Sequence, residues 1–332
     1  MDFTLSDEQH LLRDTARTLL AKECPPGLVR AHIEDPSVAE PLWEHLREFS
    51  ALGAGPLTDL CVFATETGSV AAPGPFFANT ALFVPLLAAL GDERLPAALA
   101  GETTGTVAVA GTRGDWVANE DVVKCFVPEA DRVDWIAVVD AGPTVRVVPA
   151  ADVPVRLVET IDWSRRLFEV DTVGVSADPQ PLDRAALETV LRRGTVTLAA
   201  EMVGTARRIF DMTLEYAKER KQFDVPIGSF QAIQHKLADV SLAIERSDSA
   251  TVYAAMALDD QDPDAPRATH VAKAAAGRAA TRAAKDGIQV HGGIGYTWEH
   301  DLHLFLRRAF GSEYWLGTTT WHHDRLADLL FD

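Results

Sequence analysis

Apolar residues recur at helical spacing in the first part of the chain, alternate in the second, and return to helical spacing in the third. Phe3 and Leu5 precede Ser6-Asp7-Glu8-Gln9, where the Ser6 and Gln9 side chains are placed to satisfy the first backbone donors of a helix reciprocally. Leu11, Leu12, Thr15, Ala16, Leu19 and Leu20 then make one apolar face, ended by Pro25-Pro26. Trp43, Leu46 and Phe49 predict a second helix, and Leu57, Leu60, Cys61 and Ala64 a third. Pro73-Gly74-Pro75 breaks the chain before an apolar helix over 80–90, and another helix over 94–100 stops at Gly101. From Thr106 the period falls to two, and 106–110, 122–127, 135–139, 144–148, 155–158 and 167–173 read as strands between Gly, Asp and Pro turns.

Helical spacing returns near Asp183. A long helix over 187–218 puts Val190, Thr197, Leu198, Val203 and Ile209 on its buried side, and a second follows over 231–258. The acidic run from Asp259 to Asp264 reads as a solvated loop. An Ala-rich helix, favoured by propensity, covers 267–290 and stops at Gly292-Gly293. Over 299–308 the spacing resumes with Leu302, Phe305 and Leu306 on one side. The expectation is a mainly α chain with a small β domain: an N-terminal helical domain (1–103), a reduced middle β domain (104–180) and a C-terminal four-helix bundle (181–332).

Composition narrows the function classes. The 332 residues suffice for two or three packed regions, and 47% apolar with 24% charged residues is ordinary for a soluble globular protein. A net charge of −18 argues against nucleic acid or an anionic membrane as partner. Cys24, Cys61 and Cys125 are too dispersed for a disulfide framework or a zinc site. No apolar run approaches the ~18 residues of a membrane span, and no signal peptide precedes the first helix, so a cytoplasmic location is expected.

Three motifs carry more. They are Arg220-x-x-Phe223, then Pro226-Ile227-x-x-Phe230-Gln231-Ala232, then Gln289-x-x-Gly292-Gly293-x-Gly295-Tyr296. Singly each has a plain reading: Arg220 as a helix-end cation, the glycine pair as a helix cap. Together, in this order and at these distances, they resemble the C-terminal helical domain of the acyl-CoA dehydrogenase family, most strongly over 187–318. The resemblance implies that family's fold, with a barrel-like middle β domain, and FAD as cofactor. It also implies a tetramer in which Arg220, Gln222, Phe223, Gln231, Gln289, Gly292 and Gly293 reach across an interface to the pyrophosphate and adenosine half of a neighbour's FAD. A guanidinium pairs bidentately with phosphate, and glycines let backbone donors approach closely.

The departures from that pattern are as informative. The family's catalytic glutamate directly precedes the Gly-Thr that is Gly317-Thr318 here, and this chain has Leu316, which cannot accept a proton. The family's Thr-Glu and Gly-Ser-Asp run, which touches the flavin ring and substrate, is replaced by Gly111-Thr112-Arg113-Gly114-Asp115-Trp116. Its Trp followed by a small hydroxyl residue is replaced by Cys125-Phe126-Val127, and Trp163-Ser164 comes too late in the chain to substitute. Where relatives engage acyl-CoA with an acidic-Arg or Glu-Arg pair, Arg193-Gly194 stands. Glu313 could serve as a displaced base. Glu201, mid-helix, reads as solvated or ion-paired, and His291 as a hydrogen-bonding or packing residue.

The resemblance thus implies a subunit without its own base. A full-length sister subunit in an α2β2 heteromer would supply the glutamate and bind most of the acyl-CoA, possible substrates including steroid side-chain thioesters. An electron-transfer flavoprotein or similar acceptor would take the electrons. Two alternatives stand beside it: a self-sufficient dehydrogenase using Glu313 or Glu201, and a non-enzymatic structural or CoA-thioester-binding relative.

Overall fold

The computed structural model describes residues 3–114, 116–142 and 144–331; Asp115, in the loop named above, lies outside them. The expected capping box forms: Ser6 Oγ accepts from Gln9 N–H, Gln9 Oε1 accepts from Ser6 N–H, and α1 (Asp7–Glu23) follows. Its buried face is narrower than the periodicity implies, because Ala16 and Leu20 are buried while Leu11 and Thr15 face solvent. Pro25-Pro26 also begins a helix as well as ending one. Pro26 takes the first position of α2 (Pro26–Glu34), where a missing N–H costs nothing. Trp43 and Leu46 belong to α3 (Glu40–Leu46), and Phe49 to a tighter 3-10 turn over Arg47–Gly53.

The helix α4 (Leu57–Ser69) has a proline at its N-cap and no cap of its own. The Asp259 carboxylate, from far along the chain, accepts Leu57 N–H at 2.6 Å and Thr58 N–H at 3.0 Å. That corrects the reading of this acidic stretch as merely solvated: its first aspartate caps a distant helix. The apolar segment before residue 90 starts earlier than expected, as a π-helical turn over Phe77–Phe83, then α5 (Val84–Leu90); α6 (Leu95–Leu99) follows.

All six predicted strands form, within a residue or two of expectation: β1 (Gly105–Ala108), β2 (Val123–Pro128), β3 (Trp135–Asp140), β4 (Thr144–Pro149), β5 (Val155–Val158) and β6 (Leu167–Asp171). A short β7 (Gln180–Pro181) completes a sheet of order β1-β3-β4-β7, parallel between β1 and β3 and antiparallel elsewhere. The second sheet, β2-β6-β5, is antiparallel with a bulge between Lys124 and Val127. Ala108, Val127, Ile136, Val138, Val148, Phe168 and Val170 fill the space between the sheets.

Asp183 caps α7 (Arg184–Glu219), whose Val190, Thr197, Leu198, Val203 and Ile209 are buried as expected. A two-residue hairpin, β8 (Lys221–Gln222) and β9 (Val225–Pro226), leads to α8 (Gln231–Asp259), α9 (Ala265–His291), α10 (Leu302–Tyr314) and α11 (Thr319–Phe331). The helix α10 starts three residues later than the periodicity suggests, and it does bury Leu302, Phe305 and Leu306. Helices α4 and α7 cross with their backbones touching. A Cβ on Gly68 would overlap the Glu201 carbonyl, and one on Gly204 the Thr65 carbonyl. The result is a mainly helical molecule with a small two-sheet region.

Candidate functional site

Two places matter: the turn after α10, where the catalytic base is expected, and the shared end of α7 and α9, where the cofactor motifs lie. At the first, α10 ends at Tyr314, Trp315 is extended, and Leu316 (φ 56°) and Gly317 (φ 98°) turn left-handed. The turn is pinned from several sides. Lys273, fully buried on α9, donates to Gly317 O at 2.9 Å and Glu313 O at 3.3 Å. Burial pushes the Lys273 pKa down to about 8, against the pull of the Glu313 charge. His322 Nε2 lies 3.0 Å from Leu316 O, an acceptor, so Nε2 carries the proton and donates. His322 Nδ1 is then the acceptor in its 2.7 Å contact with His270 Nδ1–H. Burial pushes the His270 pKa down to about 4 and lowers that of His322 too, keeping the chain of rings neutral.

Leu316 itself is buried. The carboxylate of Glu313 is turned elsewhere: its Oε1 accepts Thr319 N–H at 2.8 Å, at the start of α11. Glu201 is no more available, and it is not solvated. It is buried and accepts from Arg308 at 2.9 Å and from Arg165. Arg308 also pairs with Asp162 at 2.8 Å, and donates to Ser164 Oγ at 2.9 Å and to Ala71 O and Ala72 O at 3.2 Å each. Burial acts to lower the Arg308 pKa, but Asp162 and Glu201 outweigh it and the net shift is upward. The sequence reading names Glu201 and, within Trp163-Ser164, Ser164, but it does not join them and does not single out Asp162, Arg165 or Arg308. Ser164 is thus a buried partner of Arg308, while Trp163 lies partly exposed and stacks on Trp298 at 5.7 Å.

At the second place the structure brings the separated motifs together. Tyr216 near the end of α7 stacks on His291 at the end of α9, ring centroids 4.4 Å apart. Ala217, Ile227, Leu237 and Val290 form a small core beneath them. His291 Nδ1 donates to Gly287 O at 2.8 Å, the packing and hydrogen-bonding role expected of it. Arg220, Gln222, Phe223, Gln231, Gln289, Gly292 and Gly293 all lie exposed at this end. Among the described residues the Arg220 guanidinium has no ion-pair partner. Phe223 and Asp224 occupy both central positions of the β8–β9 turn with φ 53° and 66°. Phe223 is 86% exposed at this left-handed position, so its ring contributes little to folding. Gly292 also has positive φ (64°), and a Cβ there or on Gly293 would meet open space, so both backbones are free for approach from outside.

Comparison with known proteins decides the family. Residues 184–331 match the model of the acyl-CoA dehydrogenase C-terminal domain. Along nearly its whole length the chain is 33% identical to acyl-CoA dehydrogenase IpdE2 of Mycobacterium tuberculosis, over 323 residues that cover 93% of each protein. The chain belongs to the acyl-CoA dehydrogenase family. Acyl-CoA dehydrogenases are flavin-dependent oxidoreductases, and two solved structures extend the likeness. The Tcur3481-Tcur3483 steroid ACAD variant superposes with a TM-score of 0.87 at 28% identity, covering 98% of both chains. The ChsE4-ChsE5 complex from Mycobacterium tuberculosis shares the fold, with a TM-score of 0.86, 24% identity and 99% of both chains covered.

The residues present fit an FAD unevenly. The exposed, unpaired Arg220 and the open Gly292-Gly293 backbone suit a pyrophosphate approaching from outside the chain. The stretches that the resemblance would place around a flavin ring are joined to each other instead. Trp315 Nε1–H donates to Phe126 O at 3.1 Å, and the Trp116 and Trp315 rings lie 6.2 Å apart.

Proposed function

We propose that this chain is the non-catalytic subunit of a heteromeric, FAD-dependent acyl-CoA dehydrogenase. A full-length sister subunit, in an α2β2 assembly, supplies the catalytic glutamate, the flavin-ring pocket and most of the acyl-CoA contacts. The bound FAD supplies hydride acceptance during α,β-dehydrogenation of the thioester. This chain contributes Arg220, Gln222, Phe223, Gln231, Gln289, Gly292 and Gly293 to its pyrophosphate and adenosine half. The three regions 1–103, 104–180 and 181–332 would act as the family's domains, and an electron-transfer flavoprotein or similar acceptor would reoxidise the cofactor in the cytoplasm. Likeness to a heteromeric pair described as a steroid ACAD makes steroid-derived CoA thioesters the substrate class to test first. Among the described residues no helix is long and apolar enough to cross a membrane.

One observation carries the reading: the base position is a buried leucine, the Glu313 carboxylate has one oxygen bound at the start of α11 and the other buried, and Glu201 is held in an ion pair between Arg165 and Arg308. The test is to purify the chain alone and with its sister subunit and measure flavin and turnover. Flavin and turnover in the pair, at one FAD per two unlike chains, support the proposal. Turnover from this chain alone shows a self-sufficient enzyme, and a pair without flavin shows a structural or thioester-binding protein.

A further inference from the structure

Three stretches distant in sequence meet on the sheet side of α10. Trp116 comes from the loop after β1, Phe126 from the bulge in β2, and Trp315 from the residue before the missing base. By resemblance these are the stretches that surround a flavin ring in relatives. We propose that Trp116 and Trp315, backed by Phe77 and Arg165 and tied to the Phe126 carbonyl, form an internal plug that fills the flavin-ring slot with the chain's own side chains. The inference deepens the reading of this chain as a non-catalytic subunit, and it concerns only this chain's slot.

The packing is continuous. Trp315 lies 4.9 Å from Phe77 and 6.2 Å from Trp116, centroid to centroid, at tilted and edge-on angles that suit the aromatic quadrupole. The Arg165 guanidinium lies 4.6 Å above the Trp315 ring and 5.3 Å from that of Phe77, a buried cation on two aromatic faces. Arg165 is held in turn by Glu201, which keys the plug to the buried ion network. The hydrogen bond from Trp315 Nε1 to Phe126 O joins the helical and sheet regions directly. Left-handed residues stand on both sides of that bond, Phe126 (φ 57°) at its acceptor and Leu316 (φ 56°) beside its donor. Non-glycine residues rarely adopt that conformation, so the backbone on each side is shaped around the contact. A three-ring flavin cannot enter unless Trp315 withdraws and leaves its buried N–H unpaired.

Lumiflavin, which has the ring and no phosphate, reports on the slot independently of the exposed Arg220 surface and of any partner. The full chain should leave lumiflavin fluorescence and its own melting midpoint unchanged. Stoichiometric quenching by the parent chain would overturn the plug. Trp315→Ala, with its fold verified by circular dichroism, should bind lumiflavin at least about tenfold more tightly than the parent; a folded variant with no gain would also overturn it. Trp315→Phe keeps the packing and loses the N–H, and should melt about 2–4 °C lower. An unchanged midpoint would remove the hydrogen bond as the seal. The reading as a non-catalytic subunit is judged separately, by FAD in the pair of unlike chains, so the two can fail independently.

Discussion

Replacing Arg308 with methionine tests whether the charges behind the base position hold the fold together. The side chain is buried, and its replacement has a similar reach but no charge. Asp162 would lose its cation and keep only the Ser164 N–H and Oγ–H on its other oxygen, at 3.0 and 2.6 Å. Glu201 would keep Arg165, and the carbonyls of Ala71 and Ala72 would lose a donor. Removing one partner of a buried ion pair typically costs about 3–5 kcal/mol, because the remaining charge stays in low dielectric. The partial compensation by Arg165 places Arg308→Met near the lower end, about 3 kcal/mol. Equilibrium urea unfolding of parent and variant reads the difference at fixed slope. Adding Asp162→Asn should recover part of the loss, since it removes the stranded charge and keeps the Ser164 contacts. A loss under about 1 kcal/mol for the single variant, or no recovery in the double, would show that the network is solvated enough to be dispensable.

Three further outcomes are expected. Burial raises the Glu129 carboxyl to about 7 from 4.5, so the folded state binds its proton more tightly than the unfolded chain does, and stability is lost as pH rises between those values. Glu129→Gln should therefore match the parent near pH 4.5 and exceed it by about 3 kcal/mol at pH 8; parallel stability curves would refute this. Arg220→Ala should weaken FAD retention by the assembled heteromer roughly 10- to 150-fold, the value of a charge-assisted hydrogen bond, with Arg220→Lys recovering only part. Equal retention in a normally assembled complex would reduce Arg220 to a surface charge. Glu313→Gln should leave turnover of the assembled enzyme within a few-fold, and a drop of ~10²-fold or more would make it the base.

What the sequence shows well is what local periodicity encodes. The strand segments and the long helices emerge near their observed ends because apolar spacing and caps such as Ser6 and Asp183 act over a few residues. The helix α2 is missed because Pro25-Pro26 signals both an end and a beginning, and nine residues are too few to show a period. The Asp259 cap on α4 joins residues 202 apart, and Arg308 meets Glu201 across 107. No local pattern distinguishes such charges from a solvated loop or a surface helix face. The two blocks at the α7 and α9 ends could be read as a pair only because their spacing resembles a known family. The Trp116–Phe126–Trp315 meeting could not be read at all, because side chains that replace a missing pattern leave no pattern of their own.

The glycine crossing of α4 and α7 has a mechanical consequence. Gly68 and Gly204 each seat the opposite helix's carbonyl where a side chain would stand, so neither helix can slide along the other without driving a side chain into backbone. Sliding of packed helices, the usual low-cost route for one layer to move past another, is closed at this point. Glu201 supplies one of the carbonyls in the crossing, so the anchor of the buried charges is fixed to the same joint. Any rearrangement of this chain must therefore carry α4 and α7 together at the crossing. The N-terminal helices would follow α7 as cargo.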